Sequence, residues 1–238
     1  AALNKDTGKT IWKTNRTTDY GDLDKDGKPE REGDNRKAYG TPSIVSVAGK
    51  DQLISVGSRA MFGYDPETGK ELWTIPHANF NAAVRPVSRD GMLFVNTGSS
   101  RAHLLAIRLD DKMQGDISNS HVVWDRAKRN SRFSGHVLVN DRIIQSTEGG
   151  IVSSIDQKSG KQIWSDRLPG TYMATPIVVG DLVYYANETG QSRVIKVLGD
   201  KMEIVGEGEL EVGIQASAVV ADGALFFRTK TMLYKLAP

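Results

Sequence analysis

Short apolar runs, each preceded by a turn, follow one another along most of the chain. The runs are rich in β-branched and aromatic residues, and the turns contain Gly, Asp and Asn. No apolar stripe with the period of a helix is long enough to form one. The pattern therefore predicts a succession of short β-strands. Four of the runs are residues 53–56, 92–95, 182–185 and 224–227.

A nine-residue phrase that ends in tryptophan recurs along the chain. It occupies residues 4–12, 65–73 and 156–164, and in each copy the Trp lies eight residues after an Asn or Asp, with a Gly midway. The fourth Trp, Trp124, follows a longer polar stretch at residues 111–120 in place of the short turn. Scattered core residues would not share this spacing. The Trp residues therefore mark one repeated structural position.

A second phrase alternates with the first in constant order, so that each unit reads as strand, turn, strand, short loop, strand, Thr-Gly turn, strand. Four strands per unit and a period of roughly 40 to 50 residues indicate the blades of a β-propeller. One blade cannot bury both faces of its sheet, so blades pack face to face. A Trp at each repeat end suits this packing because its ring nitrogen can reach a loop carbonyl. The copies of the second phrase are residues 41–45, 84–87, 134–138, 174–178 and 216–220.

The phrase Asp-x-x-Thr-Gly-Lys-x-x-Trp at residues 65–73 resembles the repeat of the pyrroloquinoline-quinone (PQQ) type propeller family. That family includes quinoprotein dehydrogenases and BamB-like proteins of the outer membrane assembly machinery. The resemblance covers nearly the whole chain in five repeats, three of them close matches. It implies an all-β fold, a β-propeller of four-stranded antiparallel blades with about five blades in this chain.

The repeats predict a single β-propeller domain over residues 1–238. Both ends of the chain lie at the third strand of a repeat. Either the end pieces complete one blade and close a five-bladed ring, or the chain is the C-terminal part of a larger propeller. We expect the second, a part of a seven- or eight-bladed propeller, because relatives of this type commonly have that many blades and the chain starts at Ala1 without a leader. The approximate repeats are residues 1–13 (an outer strand), 41–75, 82–126, 133–167, 173–208 and 214–238.

Composition excludes several classes of function. A net charge of +2 from 31 basic and 29 acidic residues argues against a dedicated nucleic-acid binder. The absence of cysteine excludes disulfides, thiolate metal sites and cysteine nucleophiles. No apolar run approaches the ~20 residues that a transmembrane helix needs.

The longest interruption of the repeat pattern, residues 17–34, contains alternating acids. Asp22, Asp24 and Asp26 followed by Gly27 match the first, third, fifth and sixth positions of a calcium loop. Side-chain oxygens at this spacing converge because the chain turns sharply at the glycine. The spacing therefore predicts a Ca²⁺ site.

The same loop supplies two further candidate ligands and one departure from the pattern. Lys28 would offer its backbone carbonyl at the seventh position, and Glu30 a ninth-position contact. The twelfth position, where a bidentate Glu belongs, is Gly33. The alternative is a solvated loop in which nearby basic residues neutralise the acids.

Other catalytic and cofactor sites have weaker support. The histidines share no metal-ligand spacing. PQQ is not expected, because the chain has no Cys for the disulfide of many such enzymes and its four Trp are assigned to repeat ends. The histidines are His77, His103, His121 and His136.

The resemblance favours a non-catalytic propeller of the cell envelope or of secreted proteins, acting as a scaffold for protein binding or assembly. The predicted partner is another envelope or secreted protein, and the predicted location is extracytoplasmic. Binding would use the loops between outer and inner strands on one face. These loops are residues 14–40, 76–82, 126–133 and 168–173.

Two alternatives remain open at this point. One is a PQQ-dependent quinoprotein dehydrogenase or another protein with a ligand on the propeller axis. The other is a carbohydrate binder, which needs exposed aromatic side chains on the loop face. The candidate aromatic residues are Tyr20, Tyr39, Phe80, Phe133 and Tyr172.

Overall fold

A computed structural model describes residues 1–98, 101–210 and 213–237. The chain folds as two compact units, Ala1–Lys128 and Arg129–Pro238. Almost all regular structure is antiparallel β-sheet. Among the described residues, no helix has the length and apolar character needed to cross a membrane. A single domain over residues 1–238 stays a prediction.

The described residues of the first unit form three sheets. A two-stranded sheet (β1–β2) precedes a long loop with short 3₁₀ turns at Glu30–Arg36, and two larger sheets follow. The first sheet is β1 (Ala2–Leu3) and β2 (Thr10–Trp12), and the antiparallel strands of the next are β3 (Ser43–Val47), β4 (Lys50–Val56), β5 (Ala60–Tyr64) and β6 (Glu71–Pro76). The remaining elements are β7 (Val87–Arg89), β8 (Met92–Asn96), β9 (Leu104–Arg108), β10 (Gly115–Asp116), α1 (Ser118–His121) and β11 (Val122–Arg126).

The second unit repeats the same strand order. Two four-stranded antiparallel sheets are followed by a sheet that has three strands among the described residues. The first is β12 (Val137–Val139), β13 (Arg142–Ser146), β14 (Ile151–Asp156) and β15 (Gln162–Arg167). The second is β16 (Ile177–Val179), β17 (Leu182–Ala186), β18 (Gln191–Val197) and β19 (Met202–Glu209). The last is β20 (Val219–Ala221), β21 (Ala224–Arg228) and β22 (Leu233–Leu236).

Each Trp lies on the last of the antiparallel strands of its sheet, opposite a small residue of the neighbouring strand. A β-bulge accompanies every one of these pairs. A small partner leaves room for the indole to lie over the adjacent strand, and the bulge re-aims the side chain. At Gly63 the room is fully used, because a Cβ there would lie 2.2 Å from the Trp73 ring. The pairs are Trp12 with Ala2, Trp73 with Gly63, Trp124 with Ala106 and Trp164 with Ser154.

The turn before Trp73 explains the Asp and Gly of the repeated phrase. Asp65 Oδ1 accepts the N–H groups of Glu67 at 2.9 Å and Thr68 at 2.8 Å. Gly69 has a φ of +72°, which only glycine adopts without strain, and its N–H donates to the Asp65 carbonyl at 2.9 Å. The same bonds to an Asn or Asp and the same left-handed Gly recur in the turns at residues 4–8 and 156–160.

The indole nitrogens meet the expected kind of partner in two cases. Trp12 Nε1 donates to the Pro66 carbonyl at 2.9 Å, and Trp164 Nε1 donates to the Leu198 carbonyl at 3.4 Å. The expectation is wrong for Trp73, whose Nε1 donates to the Gln52 side chain at 2.7 Å. The reason is local: Gln52 lies in the same sheet, within reach of the ring.

Buried indoles join neighbouring sheets within each unit. In the first unit Trp73 is fully buried in a cluster that also contains Leu93 and Ile107 of the following sheet. In the second unit Trp164 shares a cluster with Val183 and Ile195 of the following sheet. Burial of apolar area between sheets supplies the main favourable term for this kind of stacking.

One strand was not expected from the sequence. The polar stretch at residues 111–120 contains β10, which pairs in parallel with β6 through Gly115–Trp73 and Asp116–Thr74 and makes a fifth strand of that sheet. Two residues without apolar alternation give no strand signal. Met113 and Ile117, both buried in the cluster around Trp73, hold the segment in place.

The end of this stretch is fixed by a buried histidine. His121 is 4% exposed, its Nε2 donates to Asp110 Oδ1 at 3.0 Å, and its Nδ1 accepts the Ser120 hydroxyl at 2.7 Å. The bond from His121, followed by bonds from the Lys112 N–H and from Arg108, lowers the pKa of Asp110 from 3.8 to about 2. Asp110 therefore stabilises the folded chain as a carboxylate.

Gly63→Ala tests the contact between the indole and its small partner. The added methyl group collides with the Trp73 ring, so we expect a loss of about 1–3 kcal/mol in the free energy of unfolding. Urea unfolding measures the loss. Gly149→Ala is the control, because a Cβ there meets nothing within 4 Å. Equal unfolding free energies for the two variants would contradict the contact.

Asp110→Asn tests the carboxylate. A lowered pKa adds stability above the ordinary pKa of 3.8, and this contribution is lost as the pH falls through about 2. We expect a lower urea midpoint for the variant at neutral pH, and a difference from wild type that closes between about pH 4 and about pH 2. Asp111→Asn, at an exposed neighbour, is the control. A difference that stays constant across this pH range would count against the account.

Candidate functional site

Polar contacts hold the start of the long loop after β2 against the first large sheet. The Arg16 guanidinium lies 5.3 Å from the centre of the Phe62 ring, and its Nη2 donates to Ser55 Oγ at 3.2 Å. Before it, the Thr14 hydroxyl donates to the Gly69 carbonyl at 2.6 Å. These contacts fix the first part of the loop, and the sequence pattern offered no sign of them.

An ion pair holds the middle of the loop. Asp22 is 3% exposed, and Arg36 donates to its carboxylate from Nη2 at 2.6 Å and from Nε at 3.1 Å. The hydrogen bond from Arg36 lowers the pKa of Asp22 below its ordinary value. The same guanidinium lies 5.0 Å from the centre of the Tyr20 ring. The Asp22 carboxylate therefore joins two parts of the loop through its ion pair with Arg36.

The other predicted calcium ligands form a tight turn. Asp24 Oδ1 accepts the N–H groups of Asp26 and Lys28, both at 2.9 Å. The Lys28 carbonyl, the predicted seventh-position ligand, accepts the Asp24 N–H at 2.8 Å. The N–H of Glu30 donates to the Asp22 carbonyl at 2.7 Å. Asp24, Asp26, Lys28 and Glu30 are all exposed.

The acids of this loop have separate roles in this arrangement. Asp22 pairs with Arg36, and one oxygen of Asp24 closes the turn. Within residues 1–98, 101–210 and 213–237, no group of three or more His, Cys, Asp or Glu side chains is placed to hold a metal ion. The predicted acidic ligands are thus not gathered around one point, and calcium binding at residues 22–30 stays a prediction.

The last part of the loop is bonded to the segment that follows β6. The N–H groups of Tyr39 and Gly40 donate to the Ala82 carbonyl at 2.6 and 2.7 Å, and the N–H of Asn81 donates to the Lys37 carbonyl at 2.9 Å. Residues 14–42, here called the long loop, are thus bonded to neighbouring elements near both ends and to each other in the middle. The loop nevertheless exposes two large apolar side chains, Leu23 at 58% and Tyr39 at 64%.

The aromatic residues predicted for a carbohydrate surface differ in exposure. Tyr172 was expected on the loop face, but it is fully buried, packs edge-on against Tyr185 at 5.5 Å between ring centres, and donates its hydroxyl to the Pro169 carbonyl. Tyr20 lies beneath Arg36. Tyr39 and Phe133 are exposed. Burial removes Tyr172 from any binding surface.

A serine, a histidine and an aspartate lie in one line of hydrogen bonds that the sequence did not indicate. Ser120, His121 and Asp110 resemble a nucleophile, base and orienting acid in this respect. Acyl transfer also needs N–H donors for an oxyanion. Here the N–H groups of Ser120 and His121 both donate to the Ile117 carbonyl, at 3.2 and 3.0 Å. The line of bonds secures α1, and these two donors are not available to a substrate.

The chain matches the sequence model of a known protein family. The sequence model described as Outer membrane protein assembly factor BamB matches residues 1–117 and 116–201. A search of curated proteins finds no match to the chain.

Solved structures of the same fold include natural and designed proteins. BamB from Moraxella catarrhalis is 12% identical with a TM-score of 0.69, over 98% of this chain and 65% of its own length. The computationally designed Ika8 protein is 11% identical with a TM-score of 0.61, over 82% and 58% of the two chains. BBS1N, solved in complex with ARL6DN, is 16% identical with a TM-score of 0.61, over 83% and 64%.

These likenesses confirm the predicted fold class. The chain is an all-β β-propeller of four-stranded antiparallel blades, about five of which it contains, with β10 as an addition to one blade. It spans 65% of the length of the BamB structure. With the repeat phrase, the fold and the matched residues in agreement, the chain belongs to the family of the outer membrane protein assembly factor BamB.

Proposed function

We propose that the chain is a binding scaffold of the cell envelope and that its long loop, residues 14–42, contacts another envelope protein. The observation that carries the proposal is the combination of a hydrogen-bonded loop backbone with exposed Leu23 and Tyr39 side chains. A surface that is already ordered loses little conformational entropy on binding. Large side chains such as Tyr contribute strongly to protein interfaces when a partner covers them.

Family membership supports the biological setting of this proposal. The family description refers to outer membrane protein assembly, and a role in such assembly requires contact with other envelope proteins. For this chain we propose an extracytoplasmic location and a protein partner. The near balance of 31 basic and 29 acidic residues favours a protein over a nucleic acid as that partner.

Photo-crosslinking from position 39 tests the surface. A photoreactive amino acid in place of Tyr39, in the organism of origin, is expected to give one discrete adduct with an envelope protein. The control carries the same amino acid in place of Val179, a 49% exposed residue of β16 in the second unit. No adduct at position 39, or the same adducts at both positions, would refute the proposed surface.

The captured partner allows a quantitative check. Tyr39→Ala is expected to weaken its binding by about tenfold or more, as for a typical interface hot spot. The urea midpoint should remain within error of wild type, since substitutions of exposed residues change stability by about 0.5 kcal/mol or less. Unchanged affinity with unchanged stability would show that Tyr39 lies outside the interface.

Calcium binding at residues 22–30 needs its own test. Asp26→Asn removes a predicted ligand charge, and the Asp26 side chain makes no hydrogen bond in the described part of the chain, so the turn should survive. If residues 22–30 form a calcium site, calorimetry shows saturable Ca²⁺ binding to wild type and at least about tenfold weaker Ca²⁺ binding to the variant. Asp200→Asn, at an exposed turn residue, should match wild type. No binding to wild type would end the calcium interpretation.

A further inference from the structure

Strand β19 of the second unit has an open edge on the outer side of its sheet. It is the last strand in the order β16, β17, β18, β19, and among the described residues it pairs only with β18. Its eight residues, Met202–Glu209, make it the longest strand in the described part of the chain. An open edge presents N–H and C=O groups with which a strand of another chain can pair.

Two residues of β19 turn their backbone groups to this edge. The N–H of Leu210 donates to the Gly190 carbonyl at 2.8 Å, so this pair is hydrogen-bonded. In an antiparallel ladder, hydrogen-bonded pairs alternate with pairs that are not hydrogen-bonded. Counting back from Leu210 along the register, the N–H and C=O of Gly208 face β18, whereas those of Glu207 and Glu209 face the open edge.

The first unit shows that an edge of this kind accepts a further strand. At the outer edge of β6, β10 pairs in parallel with Trp73 and Thr74, and the Thr74 carbonyl accepts the N–H of Ile117 at 3.1 Å. Thr74 is the second residue after the bulge of β6, and Glu207 is the second residue after the bulge of β19. The position that binds an added strand in one sheet is therefore open in the other.

Charge distinguishes β19 from β15, the corresponding strand of the preceding sheet. β19 contains three Glu and no Lys or Arg, whereas β15 contains one acid and one base. Glu207 accepts from Arg193 Nε at 2.8 Å. Glu203 and Glu209 are exposed and form no ion pair with a residue that the structure describes. Lys or Arg side chains on an added strand would therefore meet unpaired carboxylates.

The edge also offers room and apolar area to an added strand. Ile204 and Val205 of β19 are 43% and 49% exposed, and a strand laid along the edge would remove part of this area from water. A groove of about 370 Å³ lies beside the end of the strand and can receive a side chain. The groove is lined by Gln191, Ser192, Arg193, Glu207, Gly208 and Glu209.

From these features we propose that the outer edge of β19 binds an extended, basic segment of a partner protein as an additional strand. The backbone groups of Glu207 and Glu209 pair with the segment, and the carboxylates of β19 face its Lys or Arg side chains. A second copy of this chain is disfavoured, because two β19 edges would bring Glu against Glu. This surface goes beyond the proposed function, since it lies in the second unit and does not use the long loop.

The probe is a seven-residue peptide, blocked at both ends, in which four Lys alternate with Val, Thr and Val. NMR of the full chain is expected to show saturable binding and at least about tenfold slower hydrogen exchange at the amides of Glu207 and Glu209. The amides of Gly206 and Gly208, which already face β18, should change far less. No binding, or binding without slower exchange at residues 207 and 209, would overturn the proposal.

A second peptide separates strand pairing from simple charge attraction. It carries the same four Lys with Pro in place of both Val, so it cannot form a continuous strand. We expect it to bind at least about tenfold more weakly than the first peptide. Equal binding of the two peptides would contradict strand addition.

Three variants locate the binding. Glu207→Pro removes an N–H that faces the open edge, a place where a strand tolerates proline, and should weaken peptide binding at least about tenfold. Glu209→Gln keeps the N–H, removes one charge and should weaken binding about two- to fivefold. Ser165→Pro, at the corresponding position of β15, is the matched control and should keep wild-type affinity. Urea unfolding shows which variants remain folded.

Two results would overturn the assignment, whatever position 39 captures. One is wild-type affinity in both Glu207→Pro and Glu209→Gln, or loss of binding in folded Ser165→Pro. The other is a dimer of the chain, detected by sedimentation, that Glu207→Pro dissociates, because this would assign the edge to a second copy.

Discussion

The structure depends on an indole that lies over a small residue of the neighbouring strand. On each strand that carries a Trp, this contact sets how closely the indole can approach its own sheet, and the bulge beside it directs the ring. In both units the buried rings also belong to apolar clusters that extend into the following sheet. One local contact thus orders the strand pair and supplies surface for stacking. The turn before the Trp, closed by an Asn or Asp side chain, places the ring in this position.

Much of the fold could be predicted from the sequence because its signals are local. The spacing of Asp65, Gly69 and Trp73 predicts one turn and one strand. Repetition of that spacing along the chain predicts the β-propeller. The small residues opposite the Trp lie two positions before the Asn or Asp of each complete phrase, but only the strand pairing of the folded chain gives them a role. Strand β10 could not be predicted from the sequence, because Met113 and Ile117 hold it against an apolar cluster that exists only in the folded unit.

The sites were less predictable because their contacts are distant in sequence. The acid spacing of residues 22–26 predicts converging side-chain oxygens. In the structure the Asp22 carboxylate instead binds Arg36, fourteen residues further along the chain. A cavity in the first unit, lined by Ile75, His77 and Leu105 among others, is assembled from three segments that the sheets bring together, and no motif marks any of them. His77 illustrates the difference: its sequence position is ordinary, whereas its burial and its unpaired Nε2 follow from the packing.

A rigid framework of this kind suits binding, since loops and cavities anchored on stacked sheets hold their shape before a partner arrives. The framework itself is tested most directly by a double-mutant cycle between Gly63→Ala and Trp73→Leu, measured by urea unfolding. If the indole lies on Gly63, the cost of the added methyl group falls close to zero once the ring is removed, and the coupling energy is about 1 kcal/mol or more. Strictly additive costs would contradict the contact on which the stacking depends.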